Sequence, residues 1–309
     1  MLIQSIFQSL AMLFLLVLPG IFFRKKEWMT ENQSQGVNSI IINLTWPCLV
    51  IDAMQMKFSM RILKDSGYIL LVCMAVFIIL FVFSYPLAKG LKMMKQRRYL
   101  MTFMLLFGNT GFIGIPVMKA LYGGEAVFYV AIVELINDIL IFTVGILLIQ
   151  MSVEADLHMQ WKKLFSPGML GVLLGLFFFL VRITLPPIIG DAIKMLGNAT
   201  TPLTMFMIGF QLGGICWTDF WKDRHIYAVA VIKLVAVPMI TLFLIRLWTE
   251  EISLLEKVVI MSFAMPVGSV SAIFSKEYKS DEEFVVKEVM LSTVFCFLTI
   301  PLFALLLGK

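Results

Sequence analysis

Long apolar runs alternate with short polar stretches along the chain. Each run is close to the ~20 residues that cross a hydrocarbon core. The pattern predicts ten spans, at roughly 2–23, 34–56, 67–88, 99–121, 125–150, 167–186, 190–214, 225–248, 255–275 and 282–307. The first run has no positive residue before it, and "RKK" at 24–26 follows it. It is therefore read as a retained helix and not as a cleaved leader. The longest polar interval, near 152–165, is too short for a second domain.

Composition sharpens this picture. The 309 residues are 60% hydrophobic and 15% charged, with a mean hydropathy of +0.94. A soluble fold has no core able to hide that much apolar surface. The expectation is a multi-pass protein of the cell membrane with little soluble mass. The net charge of +5 sits in short connections, which is the pattern that topology demands. No nucleic-acid partner is expected. With the N-terminus outside, the inner loops hold Arg24, Lys25 and Lys26, and then Lys89, Lys92, Lys95, Arg97 and Arg98. Lys162, Lys163, Lys222, Arg224, Lys276 and Lys279 add to them. The outer loops are poorer in Lys and Arg, so both termini are placed outside.

The chemistry of soluble sites is missing. Cys48, Cys73, Cys216 and Cys296 form no CxxC pair, which gives neither a disulfide framework nor a zinc site. His158 and His225 suggest no metal centre. No HExxH and no nucleophile–base pair occurs, so neither an enzyme nor a cofactor is expected.

The two halves echo one another. "NLTWP" at 43–47 and "NATTP" at 198–202 share the form N-x-x-x-P; Pro86 pairs with Pro238, and Pro116 with Pro266. Five spans match five, so the second copy enters the membrane from the opposite side. The expectation is an all-α, single membrane domain built as a 5+5 inverted repeat, 1–150 and 167–309, as many secondary transporters are.

Two spans carry helix breakers at matching positions. The fourth holds Asn109, Thr110, Gly111, Gly114 and Pro116; the ninth holds Ser262, Pro266, Gly268, Ser269 and Ser271. Broken backbone inside a bilayer must face protein or a wet cavity. Half-helix N-termini present N–H donors and partial positive charge. Two of them meeting at mid-membrane would hold a carboxylate, with Asn109 and the serines adding hydrogen bonds. The plainer reading is that small residues let helices pack closely.

Charges inside spans mark the second candidate feature. Glu134 and Asp138 share one face of the fifth span, with Asn137 between them, and Lys233 lies inside the eighth. Intramembrane ionisable groups are costly and usually trace ion or proton routes. Glu134 or Asp138 is the candidate carrier of a coupling proton, with Lys233 as counter-charge; a structural buried ion pair is the alternative. Lys287 and Glu288 are expected to snorkel to the interface. Asp52 is read as a capping or interfacial residue. Asn43 and Asn198 either satisfy carbonyls freed at the kinks or line the solute path. Met104, Phe107, Phe112 and Met265 either wall an apolar pocket or pack helices.

At these motifs the sequence resembles the auxin efflux carrier family in its bacterial branch, which includes malate and malonate permeases. The motifs are "NLTWPCL" (43–49), "GNTGFIGIP" (108–116), "NATTPLTMFMIGFQL" (198–212) and "MPVGSVSAIFSKEY" (265–278). The resemblance implies a ten-helix fold related to bile-acid symporters and sodium–proton antiporters. In it, helices 4 and 9 unwind at Pro116 and Pro266 and cross. It also implies a scaffold of helices 1, 2, 6 and 7, a moving bundle of the other six, and a homodimer. The function expected is a secondary transporter of small organic acid anions such as malate, malonate or auxin-like acids. Transport would be by alternating access, elevator-like or rocking, and coupled to protons or sodium or to neither. The alternatives are a channel, disfavoured because no span is polar along its whole length, and a membrane sensor, which would normally carry an output domain.

Overall fold

In the computed structural model, residues 2–155, 157, 166–214 and 223–308 are described. Lys162, Lys163, Cys216, Lys222 and His158 lie outside that set. The described residues are helical, without a strand. The helices are α1 (Leu2–Lys25), α2 (Glu31–Ala53), α3 (Met60–Gly90), α4 (Lys95–Leu106), α5 (Ile115–Tyr122), α6 (Gly124–Ser152) and α7 (Pro167–Val181). They continue with α8 (Pro187–Asn198), α9 (Thr200–Gly213), α10 (Arg224–Arg246), α11 (Leu254–Phe263), α12 (Ser269–Glu277) and α13 (Glu282–Leu307).

Six of these, namely α1, α2, α3, α6, α10 and α13, are long and apolar enough to cross a bilayer. The other four expected spans are a 15-residue helix, α7, and three interrupted pairs, α4/α5, α8/α9 and α11/α12. Helix starts follow local chemistry. Thr30 with Gln33 and Ser253 with Glu256 form capping boxes, and Ser166 caps α7 just before Pro167. α3 begins earlier than hydropathy suggests. Ser59 caps it, and Arg61 pairs with Asp65 one turn on, 3.7 Å apart, so a charged turn precedes the apolar run.

Three prolines sit just after a π-helical turn, while Pro19, Pro86 and Pro301 lie in unbroken α-helix and a further π turn, Ile141–Gly145, precedes no proline. A π-helical turn closes two residues before Pro47, Pro116 and Pro238, at Ile41–Thr45, Thr110–Gly114 and Ile232–Ala236. Proline lacks an N–H and its ring presses on the carbonyl four residues back. Widening the turn removes that clash: the amides of Trp46, Ile115 and Val237 reach back five residues instead. Pro86, expected to mirror Pro238, lies inside an uninterrupted α3.

The helices pack in two groups. α1 meets α9 along glycines so closely that an added Cβ at Gly20 would fall 1.9 Å from the Phe206 carbonyl, and one at Gly209 1.9 Å from that of Val17. The second half of α2 lies on α7 and α8 in the same manner, with Gly168 against the Trp46 ring, Gly171 against Pro47 and Gly197 against Leu49. The other group gathers α3, α4, α5, α6 and α10 to α13, with Phe103, Phe107, Phe128, Val258 and Phe284 inside one large apolar core that continues into the first group through Leu13, Leu49 and Phe179.

At one end of that second group a polar hub ties four segments. Arg97 binds Asp223, the N-cap of α10, and Asp281, the N-cap of α13, and its guanidinium lies 4.4 Å from the Phe284 ring centre. Ser280 bonds Ser152 at 2.7 Å, and Lys95 pairs with Glu154 at 2.9 Å. Burial alone would raise the Asp223 carboxyl. The His225 amide and the Arg97 guanidinium outweigh it and hold that carboxyl below its ordinary range.

Candidate functional site

The two interruptions meet. Between α4 and α5 the backbone unwinds at 107–109, and between α11 and α12 it unwinds at 264–268. Gly108 faces Val267 in an isolated antiparallel bridge. Asn109 donates its amide to Pro266 O at 2.8 Å, and Gly268 donates to Phe107 O at 3.0 Å. Each unwound strand thus satisfies groups that the other exposes, which backbone in a bilayer requires. Ser292 of α13 accepts the Val267 amide at 3.2 Å. Sequence reasoning did not pick Ser292, which shows only as a Ser in an apolar run.

The first break lies earlier than the motif suggests. Residues 110–114 are a π turn, so Thr110, Gly111, Gly114 and Pro116 belong to a continuing helix, and Gly108 and Asn109 form the break itself. In the second half Pro266 and Gly268 lie in the break, Ser269 and Ser271 open α12, and Ser262 sits inside α11, bonding to Val258 O. Asn109 caps the turn that leads into α5, accepting from Phe112 N at 3.3 Å. Its side-chain amide donates to Ser269 Oγ at 3.2 Å. Two helical N-termini, one led by Asn109 and one by Gly268, are therefore side by side.

Lys233 reaches this crossing from α10. Fully buried, it donates to Leu105 O at 3.0 Å, a carbonyl at the C-terminal end of α4. Its Nζ lies 3.4 Å from where a Gly108 side chain would begin, so the glycine leaves room for the ammonium. No ion pair among the described residues joins Lys233 to Glu134 or Asp138. Its partner is a helix end, where partial negative charge gathers.

Glu134 approaches the first segment at Gly111. It is 5% exposed, and its Oε1 has no hydrogen-bond partner. Its Oε2 lies 3.8 Å from the point where a Gly111 Cβ would sit. Asn137, one turn on, is also buried, and Asp138 is half-buried. Thr110 Oγ1, Thr45 Oγ1 and Trp46 Nε1 are buried without partners in the same neighbourhood.

Other expectations resolve differently. Glu288 does not snorkel; it is fully buried with both carboxyl oxygens unpartnered, because its position on α13 faces the helix bundle. Lys287 pairs with Glu283 at 2.5 Å. Asn43 is exposed and donates to Ser39, while Asn198 accepts from Lys119 Nζ at 2.8 Å and so ties α8 to α5. Met104, Phe107 and Met265 are fully buried packing residues; Phe112 lies against a small cluster with Ile41, Met207 and Phe210. A surface cavity of about 510 Å³ opens away from the crossing, beside Lys119, Tyr122 and Lys257.

Residues 5–304 match the family model described as "Membrane transport protein". The chain belongs to this family. The resemblance to the auxin efflux carriers thereby holds across almost the whole length, and transport, not catalysis, is its business. Two relatives of similar length carry the same reading. One, named an uncharacterized transporter, from Methanothermobacter thermautotrophicus, is 23% identical over 94% of this chain and 95% of its own. Another uncharacterized transporter, from Methanocaldococcus jannaschii, is 26% identical over 95% of this chain and 96% of its own.

Proposed function

We propose that this membrane transport protein is a secondary transporter of small organic acid anions, binding its solute where the 107–109 and 264–268 segments cross. The observation that carries the reading is the pair of adjacent helix N-termini at Asn109 and Gly268, linked by the Asn109–Ser269 hydrogen bond. First-turn amides lack intrahelical acceptors and lie at the positive end of the helix dipole. The Lys233 amine behind Gly108 adds a further buried hydrogen-bond donor. A carboxylate suits that field. Thr110, Gly111, Gly114, Pro116, Ser262 and Pro266 shape the two segments that present it.

Ten spans in two inverted halves, 1–150 and 167–309, would place the crossing near the middle of the bilayer, with both termini outside the cell. The glycine-seamed group (α1, α2, α7, α8, α9) serves as the fixed frame and the site of homodimer contact. The other group moves as one body, held by the Arg97 hub, and exposes the site alternately to either side. Glu134 or Asp138, with Asn137, carries a coupling proton. Glu134 Oε1 is buried without a hydrogen-bond partner, so that oxygen is free to take up a proton.

Reconstitution in liposomes tests this. Labelled carboxylates, among them malate, malonate and an indole acid, should enter faster than into empty vesicles, under imposed pH, sodium and voltage gradients in turn. Asn109→Ala and Pro116→Ala should abolish uptake while leaving the protein inserted. Absence of carboxylate flux under every gradient overturns the reading. If Glu134→Gln and Asp138→Asn both transport with unchanged pH dependence, proton coupling through them is wrong.

A further inference from the structure

The crossing has a neighbour that the motif reading did not include. Trp46 sits at the end of the π turn in α2, on the side of the glycine-seamed group, with its ring packed on Gly168 of α7. It is 9% exposed, yet its indole Nε1–H has no acceptor. That nitrogen lies 3.9 Å from the point where a Gly111 Cβ would sit, and Glu134 Oε2 lies 3.8 Å from the same point. A donor and a carboxyl thus converge on one spot without bonding each other. Thr45 and Thr110 hydroxyls, also buried and unpartnered, flank it in sequence. A buried indole N–H normally finds a partner, so an unpartnered Trp46 N–H beside the Glu134 carboxyl, both close to one glycine, marks a place built for something else.

We propose that Trp46 and Glu134 form a two-sided clamp over Gly111 for a single oxygen of the transported solute, an oxygen that both accepts and donates a hydrogen bond. The indole N–H donates to that oxygen, and the oxygen's own hydrogen points at the Glu134 carboxyl. A solute hydroxyl meets this requirement, and so does the O–H of a protonated carboxyl. An unhydroxylated carboxylate meets half of it, since it can accept but not donate. Trp46 comes from one packing group and Glu134 from the other, so the solute oxygen would bridge them. The proposal rests on the crossing being the solute site and adds the residue that selects among organic acids.

Binding to purified protein in nanodiscs tests it, by calorimetry with acid pairs that differ in one hydroxyl: lactate with propionate, malate with succinate. The wild-type protein should favour the hydroxylated member about tenfold, the worth of one good hydrogen bond. Gly111→Ala should remove that preference. Its methyl meets both polar atoms at ordinary contact distance, so the fold and melting point stay while the spot is filled. Trp46→Phe, which keeps the packing on Gly168 and removes the N–H, should do the same. If there is no hydroxyl preference but affinity for plain acids rises on acidification and falls in both variants, the clamped oxygen is a protonated carboxyl, and the clamp stands. If both variants keep wild-type affinities while Asn109→Ala loses them, the clamp is wrong and the crossing survives. A lowered melting point in Trp46→Phe with unchanged affinities means a structural role for the indole and also overturns the clamp. If no acid binds the wild-type protein, both readings fall.

Discussion

The α1–α9 seam and the 107–109/264–268 crossing are both places where two parts of the chain come unusually close, and they do it by opposite means. At the seam, side chains are removed: Gly20 and Gly209 let backbone rest on backbone. At the crossing, helical hydrogen bonds are removed and remade between segments, through Asn109 to Pro266 and Gly268 to Phe107. The contacts at Gly20 and Gly209 are backbone on backbone and involve no polar side chain. The crossing keeps Lys233, Glu134, Thr110 and Trp46 buried with few partners or none. Close contact without polar cost belongs to a frame; close contact that retains polar cost belongs to a site.

Substitution at the seam should have the largest effect on stability. Gly209→Leu places a Cβ 1.9 Å from the Val17 carbonyl, where neither backbone can yield. The loss should exceed about 3 kcal/mol, at the top of the overpacking range, seen as failure to accumulate in membranes. If that variant folds and transports, the seam is not a rigid frame. At the crossing the same measurements should separate. Lys233→Met keeps the volume and removes a buried amine whose partner is the Leu105 carbonyl, so melting should change little while solute flux is lost. A variant that melts lower and still transports would make Lys233 structural.

The Arg97 hub is intermediate. Arg97→Ala leaves two half-buried aspartates without their cation and should cost about 1–3 kcal/mol, with partial loss of flux. Its pH response is the smallest effect. The Asp223 carboxyl is held below its ordinary value in the folded chain. The stability this gives is complete above the unfolded value of about 3.9 and is lost as pH falls through the lower folded value. Between pH 5 and 8 the Asp223–Arg97 pair should therefore contribute a constant amount, read in a His225→Asn background because the His225 ring lies 3.2 Å from the same carboxyl. A melting curve that shifts over that window in His225→Asn, but not when Asp223→Asn is added, would contradict this.

The sequence made much of this visible, for reasons tied to particular residues. Apolar length predicted α13 at 282–307 and α10 within a residue or two. The Gly, Asn and Pro of 108–116 and 264–268 marked the two interruptions because helices tolerate those residues poorly. The form of each break was hidden. Pro47, Pro116 and Pro238 produce π turns, not gaps, because a wider turn solves the clash locally. The matched prolines also overstated the symmetry, since Pro86 breaks nothing while its counterpart Pro238 follows a π turn. Lys233's bond to Leu105 and Trp46's approach to Gly111 join residues far apart in the chain, and no local pattern encodes them. Glu288 was misread for the same reason: its burial depends on neighbours from other helices, not on its distance from the start of α13.

The bridge between Gly108 and Val267 also bears on how the chain is made. Asn109 and its partner Ser269 are 160 residues apart. Translation covers that interval on the order of ten seconds. Throughout it, the 107–109 backbone lies in a newly inserted segment whose only interstrand partners have not yet been synthesised. Until then the 107–109 peptide groups lack the partners that Pro266 and Gly268 later supply. Their final geometry arrives only when the last sixth of the chain is threaded beside them, so truncated products should be recognised as unfinished by the quality-control proteases of the membrane.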